Sequence, residues 1–201
     1  MTNSDALSTR LIGAIGQLHD ASSDFDLNPE ANLPKDRVLR PAAVLIAVEN
    51  AVAEPRIILT QRASTLRHHA GQVAFPGGKR DDQDANLEET ALREADEEIG
   101  LHPENVQILG RLPAHETVTG FSVTPVLGLV RASFVAKPDH NEVAEVFSAP
   151  LHHITDTTQF SVQGRRWRGQ QRRYYTVPYG PYYIWGATAR ILRALAEGLQ
   201  T

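Results

Sequence analysis

Cysteine is absent from this 201-residue chain. That absence removes disulfides, a thiolate nucleophile and Cys-ligated zinc or iron–sulfur centres together. It fits a reducing compartment. An excess of positive charge is absent too: 20 Lys and Arg stand against 24 Asp and Glu, a formal charge of −4. The molecule as a whole is therefore not a general nucleic-acid binder. No long hydrophobic run is present. The longest clean one, Ala42–Val48, falls far short of a bilayer span. Met1–Arg10 is polar, with no apolar signal core behind it. Internal repeats and low-complexity stretches are missing. What remains suits one domain whose core needs no covalent staple, and the expected location is the cytoplasm.

Leu7–His19 repeats apolar residues at helical spacing, with Leu7, Leu11, Ile12, Ile15 and Leu18 assigned to one face. Ala21–Lys35 is rich in Asp, Asn, Ser and Pro and reads as a loop. Residues 1–37 are thus expected to form a helix-and-loop extension ahead of a domain over 38–201. Pro41–Glu49 and Arg56–Arg62 are Val/Ile/Leu-rich runs of strand length, joined by a hairpin loop at Ala51–Pro55. Gly71–Gly78 is a loop, or a short strand ending in one. Leu87–Ile99 has helical periodicity with Leu92, Ala95 and Ile99 on one side, and Gly100 is the expected stop. Strands are expected at Val106–Leu112 and Phe121–Val130, and a short helix or turn at Glu142–Phe147. Two more strands, over Gln159–Arg168 and Arg172–Val177, should turn near Gly169, before a closing helix at Trp185–Leu199. Strands outnumber helices without βαβ alternation, which points to an α+β fold.

The chemistry concentrates in Leu87–Leu101. Glu94, Glu97 and Glu98 stand at i, i+3 and i+4, so one helical face carries three carboxylates. Like charges at this spacing repel, and the last turns of a helix disfavour anions; each misplacement costs a few tenths to ~1 kcal/mol. A divalent cation reverses the sign of every one of these terms, and hard oxygen ligands favour Mg²⁺ or Mn²⁺. Arg93 can pair with a neighbouring carboxylate and fix its rotamer. The alternative is a solvated, charge-rich surface helix. The Gly77–Gly78 pair that feeds the helix favours the metal, because glycine lets backbone approach a ligand closely.

These residues resemble the signature box of the Nudix hydrolases: Gly, five residues, Glu, seven residues, Arg-Glu, an apolar residue, any residue, Glu-Glu, any residue, Gly and an apolar residue. Arg93, Glu94, Ala95, Glu97, Glu98, Gly100 and Leu101 match its second half, and Gly78 opens its first. The chain departs from the pattern twice. Asp84 stands where the family has Glu, and one extra residue lies between Asp84 and Arg93. Upstream, Leu59-Thr60-Gln61-Arg62-Ala63, then Arg67, Gly71 and Phe75-Pro76-Gly77-Gly78, is similar to the segment that precedes the box in coenzyme A pyrophosphatases. Gly120–Pro125, Glu142–Phe147 and Trp185-Gly186 are similar to that branch as well, so the resemblance spans Val38–Leu199.

The resemblance implies an α/β/α sandwich around a mixed β-sheet, here with an N-terminal helical extension. It implies that Glu94 and Glu98 bind Mg²⁺ (Mn²⁺ as alternative), that Glu97 binds a further metal or its water, and that a Gly77–Gly78 carbonyl completes the set. Glu97, Arg93 and Glu94 are the candidate catalytic residues. Glu97 is the first candidate for the base, with Glu142 and Glu145 as alternatives. Arg62, Arg67, Gly71, Phe75, Gly77 and Gly78 are placed against the substrate, although Phe75-Pro76 also reads as a packing and turn element. The implied substrate is coenzyme A, cut to 3′,5′-ADP and 4′-phosphopantetheine. Rival readings are a Nudix enzyme for ADP-ribose, dinucleoside polyphosphates or nucleoside triphosphates, and an idle nucleotide- or RNA-binding module. A membrane or nucleic-acid partner is not expected; a homodimer is compatible with the sequence.

Two features stand apart. Gly164–Tyr175 carries five arginines among aromatics. It reads as a β-hairpin with an Arg-rich face and a second face packing Trp167 or Tyr174, the alternative being single-stranded nucleic-acid binding. The adjacent pairs His68-His69 and His152-His153 point to opposite sides of any strand and read as surface residues. His115 and Glu116 fall in an expected loop, where no spacing supports a metal role for Glu116.

Overall fold

The computed structural model describes residues 3–31, 37–50, 54–66, 69–167 and 169–200. In chain order the elements are α1 (Asn3–Gly16), β1 (Ser22–Ser23), β2 (Arg40–Glu49), β3 (Arg56–Arg62), β4 (Val73–Ala74), β5 (Gly77–Lys79), α2 (Leu87–Ile99), β6 (Val106–Arg111), β7 (His115–Glu116), β8 (Phe121–Val130), β9 (Val143–Pro150), α3 (Leu151–Ile154), β10 (Ser161–Trp167), β11 (Gln170–Thr176) and α4 (Gly186–Leu199).

β2 is the spine. It runs parallel to β8 from Arg40–Phe121 to Glu49–Val130. Along its other edge it meets β5 at Ala42–Val44 and β3 at Val48–Glu49, both antiparallel. Side chains alternate across a strand, and β2 uses both faces. Ala43, Leu45 and Ala47 pack with Ala91, Ala95 and Ile99 of α2. Ile46 and Val48 pack with Leu7 and Leu11 of α1 and with Ile191, Leu192 and Leu195 of α4. β3 and β8 divide their residues likewise. The result is the expected mixed sheet between helical layers.

Several expectations change. The leader Leu7–His19 is helical from Asn3 to Gly16, but its buried stripe is Leu7, Leu11 and Ala14. Ile12 lies half exposed, about 100° around the helix from Leu11. Part of the expected loop is β1, parallel to β7. Glu142–Phe147 is neither helix nor turn: β9 pairs antiparallel with β3 from Arg62–Val143 to Arg56–Pro150. The three-residue spacing of Glu142 and Glu145 imitates a helix face; a β-bulge at Gln61/Arg62 accommodates the off-period strand. The arginine-rich segment does form a hairpin, β10–β11, turning at Gly169 with φ 82°. The Tyr174 ring packs against Trp185, while the Trp167 side chain lies outside the described residues. His152 and His153 lie at the surface, and His69 is exposed and bonded to Gln72; His68 is outside the described residues. His115, by contrast, is fully buried, bonded to Ser22 Oγ at 2.9 Å and Asp24 Oδ1 at 3.2 Å. Glu116 pairs with Arg37. No helix among the described residues is long and apolar enough to cross a membrane.

Candidate active site

Helix α2 is built to stand rigid. Asn86 caps its start, accepting from the Glu89 N–H at 2.9 Å. Glu88 and Glu89 sit where the dipole favours anions. Gly100 ends it in a left-handed conformation (φ 69°), donating to Asp96 O, while Leu101 N–H reaches back to Ala95 O. The Ala91, Ala95 and Ile99 stripe locks it to the sheet, with Leu92 partly buried beside it.

The other flank meets the turn from β4 into β5. There two glycines are required by space. Gly77 has φ +154°, and a Cβ on it would come within 2.6 Å of Val44 Cα. A Cβ on Gly78 would stand 2.5 Å from the Glu94 carboxylate. The Gly77 N–H donates to Glu98 Oε2 at 3.1 Å, and Arg62 Nη1 lies 3.9 Å from Glu98 Oε1. Glu98 is only 5% exposed. Burial raises its pKa to about 7, against the lowering effects of the Gly77 N–H and Arg62; Glu94 and Glu142 push it further up. Burial likewise raises Glu94, while Arg93 lowers it and Glu97 and Glu142 add to the rise. The negative field of Glu142 therefore reaches both carboxylates.

Arg93 ties the cluster together. Its Nε and Nη2 grip Asp84 at 2.9 and 3.1 Å, its Nη1 donates to Glu94 (3.1 Å) and Glu97 (2.9 Å), and Nη2 also donates to Lys79 O at 3.2 Å. Asp84 is buried and further bonded by Thr90 Oγ1 and the Asp81 N–H. The hydrogen bonds from Arg93, ahead of the opposing effect of burial, hold its carboxyl well below the usual range. Neither the Asp84–Arg93 grip nor the role of Thr90 was evident in the sequence.

The sequence-derived set is brought together only in part. Glu94, Glu98, Gly77, Gly78 and Arg62 gather at one turn. Glu97 is 60% exposed and borders an open trough with Glu88 and Asp96 on the outer flank of α2. Gly71 (φ +70°) closes the turn between β3 and β4 through its N–H to Arg62 O. Phe75 is buried in the core beneath the sheet; this corrects its placement against the substrate, because no ring face is left to offer. Arg67 lies outside the described residues. Glu145 accepts from Tyr182 Oη at 2.7 Å. As they stand, no three acidic or histidine side chains among the described residues converge on one ion position.

An acidic helix laid against a Gly-Gly turn, on a mixed sheet between helices, defines a Nudix-type hydrolase. The NUDIX domain family matches residues 39–168, and the chain belongs to that family. It is accordingly a pyrophosphohydrolase acting on nucleoside diphosphate derivatives, in a family that uses divalent ions such as Mg²⁺. Among particular relatives, it is 42% identical over 179 residues to an uncharacterized Nudix hydrolase, NudL, of Pectobacterium atrosepticum, covering 89% of this chain and 93% of that protein. The NudL of Cronobacter sakazakii is 46% identical over 157 residues, 78% of this chain and 81% of that one. The crystal structure of the M. smegmatis Nudix hydrolase RenU shares the fold, with a TM-score of 0.50 and 23% identity over 58% of this chain and 74% of that chain.

Proposed function

We propose that the chain cleaves the pyrophosphate of coenzyme A or its derivatives, giving 3′,5′-ADP and 4′-phosphopantetheine. The observation that carries this reading is the placement of the Leu59–Gly78 segment. It folds as β3, β4 and the start of β5, and it delivers Arg62 and Gly77 directly to Glu98. The segment similar to that of coenzyme A pyrophosphatases thus forms one wall of the acidic site. The donors fit a hard divalent ion: Glu94 and Glu98 are carboxylates whose burial disfavours charge without a cation, and a cradle at Gly78 is cleared for one of them. When bound, such an ion neutralises the diphosphate and lowers the pKa of water.

The protein's own residues supply the rest. Arg62 faces the site with its Nε buried and unpaired, suited to a phosphate oxygen. Arg93 orients Glu94 and Glu97. We assign the base to Glu142 instead of Glu97. Glu97 is exposed and spent on Arg93, Glu145 is spent on Tyr182, and Glu142 acts on both buried carboxylates. Water oxygen bonds to phosphorus as its proton passes to Glu142, and the bridging P–O bond breaks in line, its electrons leaving on the phosphate. Incubation with coenzyme A and Mg²⁺ or Mn²⁺, with products separated by chromatography, tests the reading. Equimolar 3′,5′-ADP and 4′-phosphopantetheine are expected. Intact coenzyme A alongside hydrolysed ADP-ribose would reject this specificity.

A further inference from the structure

We infer that the two departures from the box pattern, the shorter acid at 84 and the added residue before Arg93, are a matched pair that sets where α2 stands against the Gly77–Gly78 turn. The inference rests on the metal-dependent hydrolase reading above. Inside α2, one added residue would swing Arg93 by about 100° and carry it about 1.5 Å along the axis. The chain absorbs it before the helix instead. Ala85 and the cap Asn86 are non-helical, Asn86 is extended (φ −155°), and the Ala85 N–H is satisfied by Glu89 Oε2 at 2.7 Å. The backbone ahead of the helix therefore carries Asp84 to within direct reach of Arg93. A glutamate there would extend roughly one carbon–carbon bond, about 1.5 Å, too far.

No slack is available to absorb that length. Asp84 is 4% exposed. Its Oδ2 accepts from Arg93 Nη2, Thr90 Oγ1 (2.8 Å) and the Asp81 N–H (2.9 Å), and its Oδ1 accepts from Arg93 Nε. Because Nε and Nη2 are committed to Asp84, Nη1 is aimed at Glu94 and Glu97, and Nη2 also binds the β5 backbone at Lys79. Asp84 is thus a positioning residue that sets the box carboxylates through one guanidinium.

The test compares Asp84→Glu, deletion of Ala85, the two changes combined, and Asp84→Asn. Each is assayed for Mn²⁺ binding by electron paramagnetic resonance of the free ion, for kcat and KM on whichever nucleoside diphosphate derivative the wild type cleaves, and for melting temperature. Either single change should lower kcat by about 10²-fold and weaken Mn²⁺ binding about tenfold, with KM within about threefold. The combined variant, which restores the family spacing, should recover at least about tenfold of the loss in both, the non-additivity expected of coupled sites. Wild-type behaviour of either single change, or a combined variant no better than the worse single, would overturn the pairing. Should the single variants unfold, Asp84→Asn decides: it keeps the shape, and unchanged Mn²⁺ affinity and kcat would overturn the positioning role. A wild type that binds Mn²⁺ but leaves coenzyme A intact rejects the substrate reading alone.

Discussion

Glu98 carries the sharpest consequence at the level of one residue. Its pKa is about 7 in the fold, pushed up chiefly by burial from 4.5. A carboxyl raised in this way stabilises the fold fully below pH 4.5, and that contribution fades as pH rises through 7. The difference is worth about 3 kcal/mol. Without divalent ion, thermal stability should therefore fall between pH 5 and 8, and Glu98→Gln should flatten that decline while lowering kcat by at least about 10²-fold; a pH-independent wild-type melting temperature would contradict the burial. Asp84 works in the opposite direction. Its depressed pKa gives stability that is present above the ordinary carboxylate range and is lost only in strong acid. Gly78→Ala puts a methyl 2.5 Å from the Glu94 carboxylate. Calorimetry of Mn²⁺ binding should show weaker affinity, and the rate should drop by about 10²-fold. The residue types at this turn were legible in the sequence, since Gly77, Gly78, Glu94 and Glu98 all stand in the box. Which of them touch was not, because contact depends on the turn of β5 folding over α2.

Helix α2 was legible as an element down to its ends. Local rules fix it: an Asn cap, acids in the first turn, a 3.6-residue apolar stripe and a left-handed glycine. Asn86→Ala should cost about 1 kcal/mol in urea unfolding. Gly100→Ala should cost at least as much, since a left-handed position disfavours any Cβ by about 1 kcal/mol and Lys137 Cβ stands 3.2 Å from its place. β9 was not legible. Its residues alternate poorly, and only the partner β3 and its bulge make a strand of them. β1 and β7 are two-residue strands held by Ser22, Asp24 and His115, a contact across more than ninety residues. No local pattern can announce such a pairing.

At the scale of the molecule, a divalent ion that binds the folded acidic site and not the unfolded chain raises stability by mass action. Saturating Mg²⁺ or Mn²⁺ should lift the melting temperature at pH 8 by more than at pH 5, as read by scanning calorimetry, because the ion must displace the proton from Glu98 at low pH. The leader belongs to this scale too. Leu7, Leu11 and Ala14 share a cluster with the sheet and α4, and a Cβ on Gly198 would meet the α1 backbone at Ala14. Removing residues 1–20 should cost about 4 kcal/mol for the two leucines alone, seen as a lower unfolding midpoint. The sequence by itself determined the class of chemistry and the frame of the fold. Acid spacing, caps and two periodicities are local properties, readable within about a dozen residues. Only the tertiary structure decided that Arg93 belongs to Asp84, that Glu97 faces outward while Glu142 faces in, and that Phe75 is core. Those are distances between segments far apart in the chain, and they are set by how the β-sheet closes between its helices.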